Sequence, residues 1–321
     1  MRLLNLASVL LTLSVMSGAA VAQDAYPSKP IRFIVPFAPG GGADISARVI
    51  AMKMGAAMGQ TVVVENRPGA GGVIGTDMVA KAPADGYTIL LGTIGPIAIN
   101  PSLYKKLSYN VDRDFTPISL VGNALNVLVV NPALPVKSVP ELISYAKTHP
   151  VAFGSSGNGA TDHLAGEMFN SLTGLSMLHV AYKGGVPAMT DLMANQVQLV
   201  FSTVSTAAGA IKAGKVMPIA MTGSTRFKGM PDIPTIKEAG VPAFEVNNWY
   251  GVLVPRDTPA PIVARLNTEL VAALKTPEVT AKLLESGIEP AWTTPSEFGN
   301  YIKSETTKWA RVVADSGATV Q

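Results

Sequence analysis

Two glycine-rich segments carry residue types that bind anions through the backbone. The first, residues 36–44, contains two prolines and the consecutive glycines Gly40, Gly41 and Gly42. A short β-branched run, residues 31–35, precedes it, and apolar residues recur at helical spacing after it. Glycines leave the N–H groups of a helix start accessible, and the helix dipole favours negative charge there. The segment therefore predicts a site for a carboxylate or phosphate or, alternatively, a tight turn that needs only positive φ angles.

The second segment, residues 154–161, offers hydroxyl groups as well as glycines. It also lies between a predicted strand and a predicted helix, and a third polar segment, residues 202–206, follows a later strand. Residues 154–157 resemble the nucleophile elbow of a serine hydrolase, but Asn158 stands where that pattern requires glycine. We therefore interpret Ser155 and Ser156 as hydrogen-bond donors.

Two other known binding motifs are each excluded by a single residue. A dinucleotide-binding loop needs glycine where Ile45 stands, and a phosphate-binding P-loop at residues 209–216 needs Ser or Thr where Val216 stands. His149, His163 and His179 lack metal-ligand spacing, so we expect structural roles for them. No cofactor and no metal are predicted.

The elements that must position these loops alternate between strand and helix. Strands are predicted at residues 61–65 and 87–91, with a glycine loop and a helix between them, and the same alternation returns after residue 151. This pattern is typical of βαβ units, in which ligands bind outside the carboxyl ends of the strands. The chain crosses between two lobes near residues 122 and 248, which assigns residues 23–122 and 248–321 to lobe 1 and residues 123–247 to lobe 2.

Composition narrows the class of protein. Arg2, an apolar run and the sequence Ala20-Val21-Ala22 predict a secretory signal peptide over residues 1–22, cleaved after Ala22. Cysteine is absent, so the exported chain relies on core burial rather than disulfides. The net charge of +3 comes from scattered Lys and Arg, which argues against a nucleic-acid partner. Two lobes with donor-rich loops describe a cleft that closes on a small anion.

Several motifs in order make the chain resemble the receptors of tripartite tricarboxylate transporters, the Bug or TctC-like family. The resemblance covers essentially all of the mature chain. The motifs are residues 36–44 with Ala47-Arg48, residues 64–72, residues 85–92, residues 155–159 with 163–167, Tyr182-Lys183-Gly184, and Trp249-Tyr250-Gly251 with Pro255. Asn195 departs from the family, which commonly has glycine there.

The resemblance implies a two-lobed α/β Venus-flytrap fold of the periplasmic-binding-protein type, hinged on two crossing strands. It implies that loops of both lobes hold a ligand carboxylate, largely through backbone N–H groups, with Phe37 and Trp249 as apolar walls. Asp44 is expected to cap the first helix rather than contact an anion. The ligand-binding residues that the resemblance implies are Phe37, Pro39, Gly40, Gly41, Gly42, Ala43, Asp44, Thr93, Ser155, Ser156, Asn158, Thr161, His163, Ser202, Thr203 and Trp249.

We therefore predict a periplasmic, monomeric receptor that binds a small organic carboxylate and passes it to the membrane subunits of a transporter, without transforming it. The carboxylate is a di- or tricarboxylate, an amino acid or an aromatic acid. Two alternatives stay open at this stage. The receptor feeds a two-component sensor, or the chain is an exported hydrolase that uses Ser155 or Ser156.

Overall fold

The computed structural model describes residues 26–316, so the predicted signal peptide and its cleavage site lie outside the described residues. The described chain forms two α/β lobes, each built on one mixed sheet. The predicted two-lobed α/β fold is confirmed. No helix within residues 26–316 combines the length and the apolar character that crossing a bilayer requires.

The first lobe is built on a six-stranded sheet with the order β11-β4-β10-β3-β1-β2. Its strands are β1 Ile31–Val35, β2 Val62–Asn66, β3 Thr88–Thr93, β4 Phe115–Ala124, β10 Asn248–Pro255 and β11 Ile288–Pro290. Its helices are α1 Gly42–Met58, α2 Val73–Ala80, α3 Asn100–Leu103, α4 Val111–Asp114, α9 Ala260–Leu274, α10 Pro277–Glu285 and α11 Pro295–Ser316. A 3-10 turn, Ala70–Gly72, precedes α2, and a π-helical turn, Gly95–Ile99, follows β3.

The second lobe is built on a five-stranded sheet with the order β7-β6-β8-β5-β9. Its strands are β5 Asn126–Val130, β6 Ala152–Ser155, β7 Leu178–Ala181, β8 Leu199–Thr203 and β9 Met217–Met221. Its helices are α5 Val139–Ala146, α6 Thr161–Thr173, α7 Gly185–Met193 and α8 Val204–Lys212.

Two places in the chain connect the lobes. The chain leaves the first sheet at Ala124, enters the second at Asn126, and returns to the first at Asn248. The returning strand β10 pairs antiparallel with both β4 and β3, while β1 pairs parallel with β2 and β3. The predicted parallel βαβ units therefore occupy one side of the first sheet, and the crossing strand lies beside them.

Side-chain caps fix where several helices begin. Ser138 accepts from the N–H of Glu141 at the start of α5, and Thr203 accepts from the N–H of Thr206 at the start of α8. An N-cap oxygen satisfies one of the orphan N–H groups of the first turn. In contrast, the N-cap of α1 is Gly41, which has no side chain to do this.

Candidate functional site

The first turn of α1 leaves backbone donors without partners. The N–H groups of Gly41, Gly42 and Ala43 have no hydrogen-bond partner among residues 26–316. Gly41 is half-buried, and a Cβ built on it meets nothing within 4 Å, so this turn borders open space. Free N–H groups at the positive end of a 17-residue helix suit an anion.

Asp44 holds the loop before α1. Its carboxylate accepts from the N–H of Gly40 at 2.9 Å, from Arg48 Nε at 3.0 Å and from Asn66 Nδ2 at 2.9 Å. Asn66 Nδ2 also donates to the carbonyl of Phe37 at 3.0 Å. Burial opposes ionisation of Asp44, but the bonds from Arg48, Gly40 and Asn66 outweigh it and lower the pKa of the carboxyl.

Two expectations about this loop need correction. Asp44 does not cap α1, because the backbone group it binds is the N–H of Gly40 in the loop. The N–H of Gly40 is thereby already occupied, so the backbone donors left for a ligand begin at Gly41. Pro39 is exposed at the loop tip, and Phe37 is half-buried with its Cζ 3.3 Å from a Cβ built on Gly72.

Hydroxyl groups from both lobes meet beside Gly42. A Cβ built on Gly42 would lie 2.9 Å from Ser205 Oγ of the second lobe and 3.0 Å from Tyr250 Oη of the crossing strand. Thr93 lies directly opposite Tyr250 in the pairing of β3 with β10. The start of α1 therefore meets the start of α8, which carries Ser205, and the two lobes touch there.

Thr203 and Ser202, both predicted to contact the ligand, are engaged within the second lobe. Thr203 Oγ1 accepts from the N–H of Thr206 and bonds with Ser205 Oγ at 3.0 Å and with Thr206 Oγ1 at 2.9 Å. Ser202 Oγ donates to the carbonyl of Thr203 at 3.1 Å. Thr203 therefore orients Ser205, which is not among the residues predicted to bind the ligand.

The glycine loop of the second lobe has its own aspartate. Asp162 accepts from the N–H of Ser156 at 2.7 Å, from Ser156 Oγ at 2.9 Å and from the N–H of His163 at 3.0 Å. Burial raises the pKa of Asp162 to about 6, although these bonds work in the opposite direction. The hydroxyl of Ser156, predicted as a ligand donor, thus binds its own loop.

Ser155 forms a hydrogen bond with His179, one of the histidines expected to have a structural role. Its Oγ lies 2.6 Å from His179 Nε2. The His179 ring stacks on that of His163 with centroids 3.9 Å apart, and His163 Nδ1 accepts from the N–H of Gly159 at 3.0 Å. Burial lowers the pKa of His179 to about 4, and burial together with repulsion from His179 lowers the pKa of His163 to about 4. Because Ser155 is fully buried, its hydroxyl does not face a substrate.

The second-lobe loop meets the first lobe away from Gly42. A Cβ built on Gly159 would overlap the side chain of Leu103, and a Cβ built on Gly71 would lie 3.8 Å from the carbonyl oxygen of Asn158. Asn158 is exposed, and Thr161, at the first position of α6, is nine-tenths buried. Neither side chain has a hydrogen-bond partner among residues 26–316, so both remain candidate donors.

Trp249 does not form an apolar wall of the cleft. Its ring is fully buried and packs edge-on against Phe298 and Tyr301 of α11, and its Nε1 donates to Glu305 at 3.3 Å. Successive side chains of a strand point to opposite faces. Tyr250, the next residue, therefore points to the opposite face of the sheet and packs with the core beneath α1.

No cluster of three or more His, Asp or Glu suited to a metal ion occurs within residues 26–316.

The sequence of residues 46–318 matches the family described as "Tripartite tricarboxylate transporter family receptor". The chain belongs to this receptor family. The receptor is 38% identical to protein BugT of Bordetella pertussis over 307 residues. This alignment covers 95% of this chain and 94% of BugT.

Two solved structures extend the comparison. The receptor superposes on the Rpa4515 protein of R. palustris, solved with adipate, with a TM-score of 0.88 and 38% identity over 92% of this chain and 100% of the other. It superposes on MatC of Rhodopseudomonas palustris, solved with bound malate, with a TM-score of 0.83 and 32% identity over 90% and 100% of the two chains.

Membership settles the class of activity. Members of this family are periplasmic substrate-binding receptors and not enzymes. The hydrolase alternative is therefore excluded, and the burial of Ser155 agrees with that. The hydrogen bond between Ser155 and His179 is a structural contact that shapes the end of β6.

Proposed function

We propose that the chain captures a small organic carboxylate between its two lobes, after export to the periplasm, and delivers it to the membrane subunits of a tripartite transporter. The observation that carries this proposal is the first turn of α1. Its N–H groups at Gly41, Gly42 and Ala43 have no partner among residues 26–316, and the turn borders open space at Gly41.

The charges near the α1 turn favour a carboxylate group there over a group with more negative charge. Arg48, the cation closest in sequence to the α1 turn, is already bound to Asp44. Backbone N–H groups and hydroxyls supply the remaining donors, and such groups match one carboxylate well. The adipate and malate present in the two similar structures are both dicarboxylates, which supports the same ligand class.

A receptor of this kind works by closing. Within residues 26–316 the backbone passes between the lobes near residue 125 and again near residue 248, and rotation about these two points opens and closes the cleft. A carboxylate that touches α1 in the first lobe and Ser205 in the second binds the closed state better than the open state, and it shifts the population accordingly. The membrane partner then recognises the closed pair of lobes.

A thermal-shift screen of the mature protein tests the proposal. The panel contains acetate, succinate, malate, adipate, glutamate and benzoate, each with its amide as a control that lacks the carboxylate charge. We expect at least one carboxylate to raise Tm by several degrees while its amide does not, because a ligand that binds only the folded state stabilises it. If only the amides raise Tm, the carboxylate site is refuted.

Delivery to a transporter needs a separate experiment. Uptake of the best radiolabelled carboxylate into cells that carry the membrane subunits is expected only when this receptor is co-produced. A receptor that feeds a sensor instead would leave uptake unchanged while a reporter gene responds to the ligand.

A further inference from the structure

Tyr250 carries a hydroxyl that the fold leaves unused. The residue is only 4% exposed, and its Oη has no hydrogen-bond partner among residues 26–316. Within residues 26–316, fully enclosed side-chain polar atoms without a hydrogen-bond partner occur at Thr76, Asp77 and Asn126. The oxygen of Tyr250 is not one of them, so a small part of its surface stays accessible. A nearly buried polar group without a protein partner calls for an explanation, and a bound ligand is one.

The strand geometry aims this hydroxyl at the start of α1. Tyr250, Val252 and Val254 face the core beneath α1, whereas Trp249 faces α11. The pairing of β10 with β4 shifts register between Tyr250 and Gly251, and such bulges commonly redirect a side chain beside a binding site. The Oη lies 3.0 Å from a Cβ built on Gly42, the second of the residues with free N–H groups.

Two residues near Tyr250, one from each lobe, also carry hydroxyl groups. Thr93, opposite Tyr250 on β3, is 4% exposed, and its hydroxyl also lacks a partner among residues 26–316. Ser205 Oγ approaches Gly42 from the other lobe. Burial raises the pKa of Tyr250, so the phenol keeps its proton at neutral pH and acts as a donor.

We infer that the Tyr250 hydroxyl donates a hydrogen bond to the ligand carboxylate held at the first turn of α1. This inference rests on the proposed function and adds a specificity-determining residue to it. Because Tyr250 stands on the strand by which the chain returns to the first lobe, the contact links the ligand directly to the crossing strand. A neutral ligand of the same shape lacks the charge that strengthens this bond.

The test compares Tyr250→Phe with Tyr301→Phe. Tyr301 Oη also lacks a partner among residues 26–316, but the residue lies on α11 on the opposite face of β10, so its loss removes the same chemical group away from Gly42. Dissociation constants for succinate, malate and adipate, and for the corresponding diamides, are measured by titration calorimetry on wild type and both variants.

We expect Tyr250→Phe to weaken binding of the carboxylates about tenfold, because a hydrogen bond to a charged group is lost. Its unliganded Tm should match wild type, since the hydroxyl has no protein partner, and Tyr301→Phe should bind like wild type. If wild type binds a dicarboxylate and Tyr250→Phe binds it equally well, the inference about Tyr250 is wrong and the proposed function stands. If wild type binds none of these acids, or binds the diamides better, the proposed function fails and the inference fails with it.

Discussion

Asp44 and Asp162 occupy matching places in the two lobes. Each lies in the first turn of the helix that follows a glycine-rich loop, and each accepts an N–H bond from that loop, at Gly40 and Ser156. Their pKa values nevertheless shift in opposite directions, because Arg48 lies beside Asp44 whereas burial dominates at Asp162. The two loops facing the cleft are thus held by carboxylates of the protein itself.

Asp44→Asn tests how much the first loop depends on charge. Asn can still accept the N–H of Gly40, but it loses the ion pair with Arg48. We expect the free energy of unfolding to fall by about 1.5 kcal/mol, the lower end of the range for hydrogen bonds to charged groups, because the Arg48 side chain is half exposed. Urea denaturation measures it. Glu285→Gln, which breaks the exposed pair with Lys282, is the control, and its expected change stays within about 0.5 kcal/mol. Equal changes in the two variants would contradict the prediction.

Gly42→Ala tests the contact between the lobes. The new Cβ would crowd Ser205 Oγ of the other lobe and Tyr250 Oη, so closure is hindered while the first lobe still folds. We expect carboxylate affinity to fall about tenfold, equivalent to about 1.4 kcal/mol, in titration calorimetry. Gly209→Ala in α8 is the control, because a Cβ there meets nothing within 4 Å. Unchanged affinity in Gly42→Ala would show that the lobes do not close on this point.

The stacked histidines predict a loss of stability in acid. Both have pKa values near 4 in the folded state, below the ordinary value of 6.5, so the unfolded chain binds more protons between these values. Stability contributed by these residues is therefore present above pH 6.5 and is lost as the pH falls towards 4. Asp162, raised to about 6, takes up a proton in the folded state over part of this range and offsets one histidine. Ser155 and Glu167 also face the pair.

Tm measured between pH 7 and pH 4.5 checks this expectation. His179→Gln keeps a polar atom for Ser155 but removes one titrating ring, so its Tm should fall less steeply with acid than that of wild type. His149→Gln is the control, since His149 is exposed and stacks on Tyr145 away from the pair. Parallel pH profiles for wild type and His179→Gln would show that the pair does not govern acid stability.

Glu305 is expected to be essential for the packing of α11. Its Oε2 accepts from the indole N–H groups of Trp249 at 3.3 Å and Trp309 at 3.2 Å, both fully buried. Glu305→Ala leaves two buried donors unsatisfied, at about 1–3 kcal/mol each, whereas Glu305→Gln keeps an acceptor oxygen and should lose less. Urea denaturation followed by tryptophan fluorescence measures both variants. The idea fails if the two variants are equally stable.

The sequence predicted the strand-loop-helix units well because their signals are local. The apolar run over residues 31–35 matches β1, and the strands predicted at residues 61–65 and 87–91 correspond to β2 and β3 within one or two residues at each end. In contrast, residues 202–206 were predicted as a loop, whereas Thr203 ends β8 and caps α8. Small polar residues at a strand-to-helix junction serve as a cap as readily as a loop, and propensity alone does not separate these roles.

Non-local contacts escaped prediction. Ser155 and His179 are 24 residues apart and meet because β6 pairs with β7, which no spacing rule reveals. Trp249, which the resemblance implied as an apolar wall, is fully buried, whereas the next residue, Tyr250, faces α1. Which of two consecutive residues faces α1 depends on strand register, and the register is set by β3 and β4, which lie more than 120 residues earlier in the chain.

The central place of β10 has a consequence for how the polypeptide acquires its structure. This strand lies between β4 and β3, so the first sheet is split into two unconnected parts until residues 248–255 arrive. The second sheet, in contrast, is made from the continuous stretch 126–221. We therefore expect the second lobe to fold first and to bring β10 to its slot, and a chain truncated before residue 248 to contain one ordered half and one collapsed half.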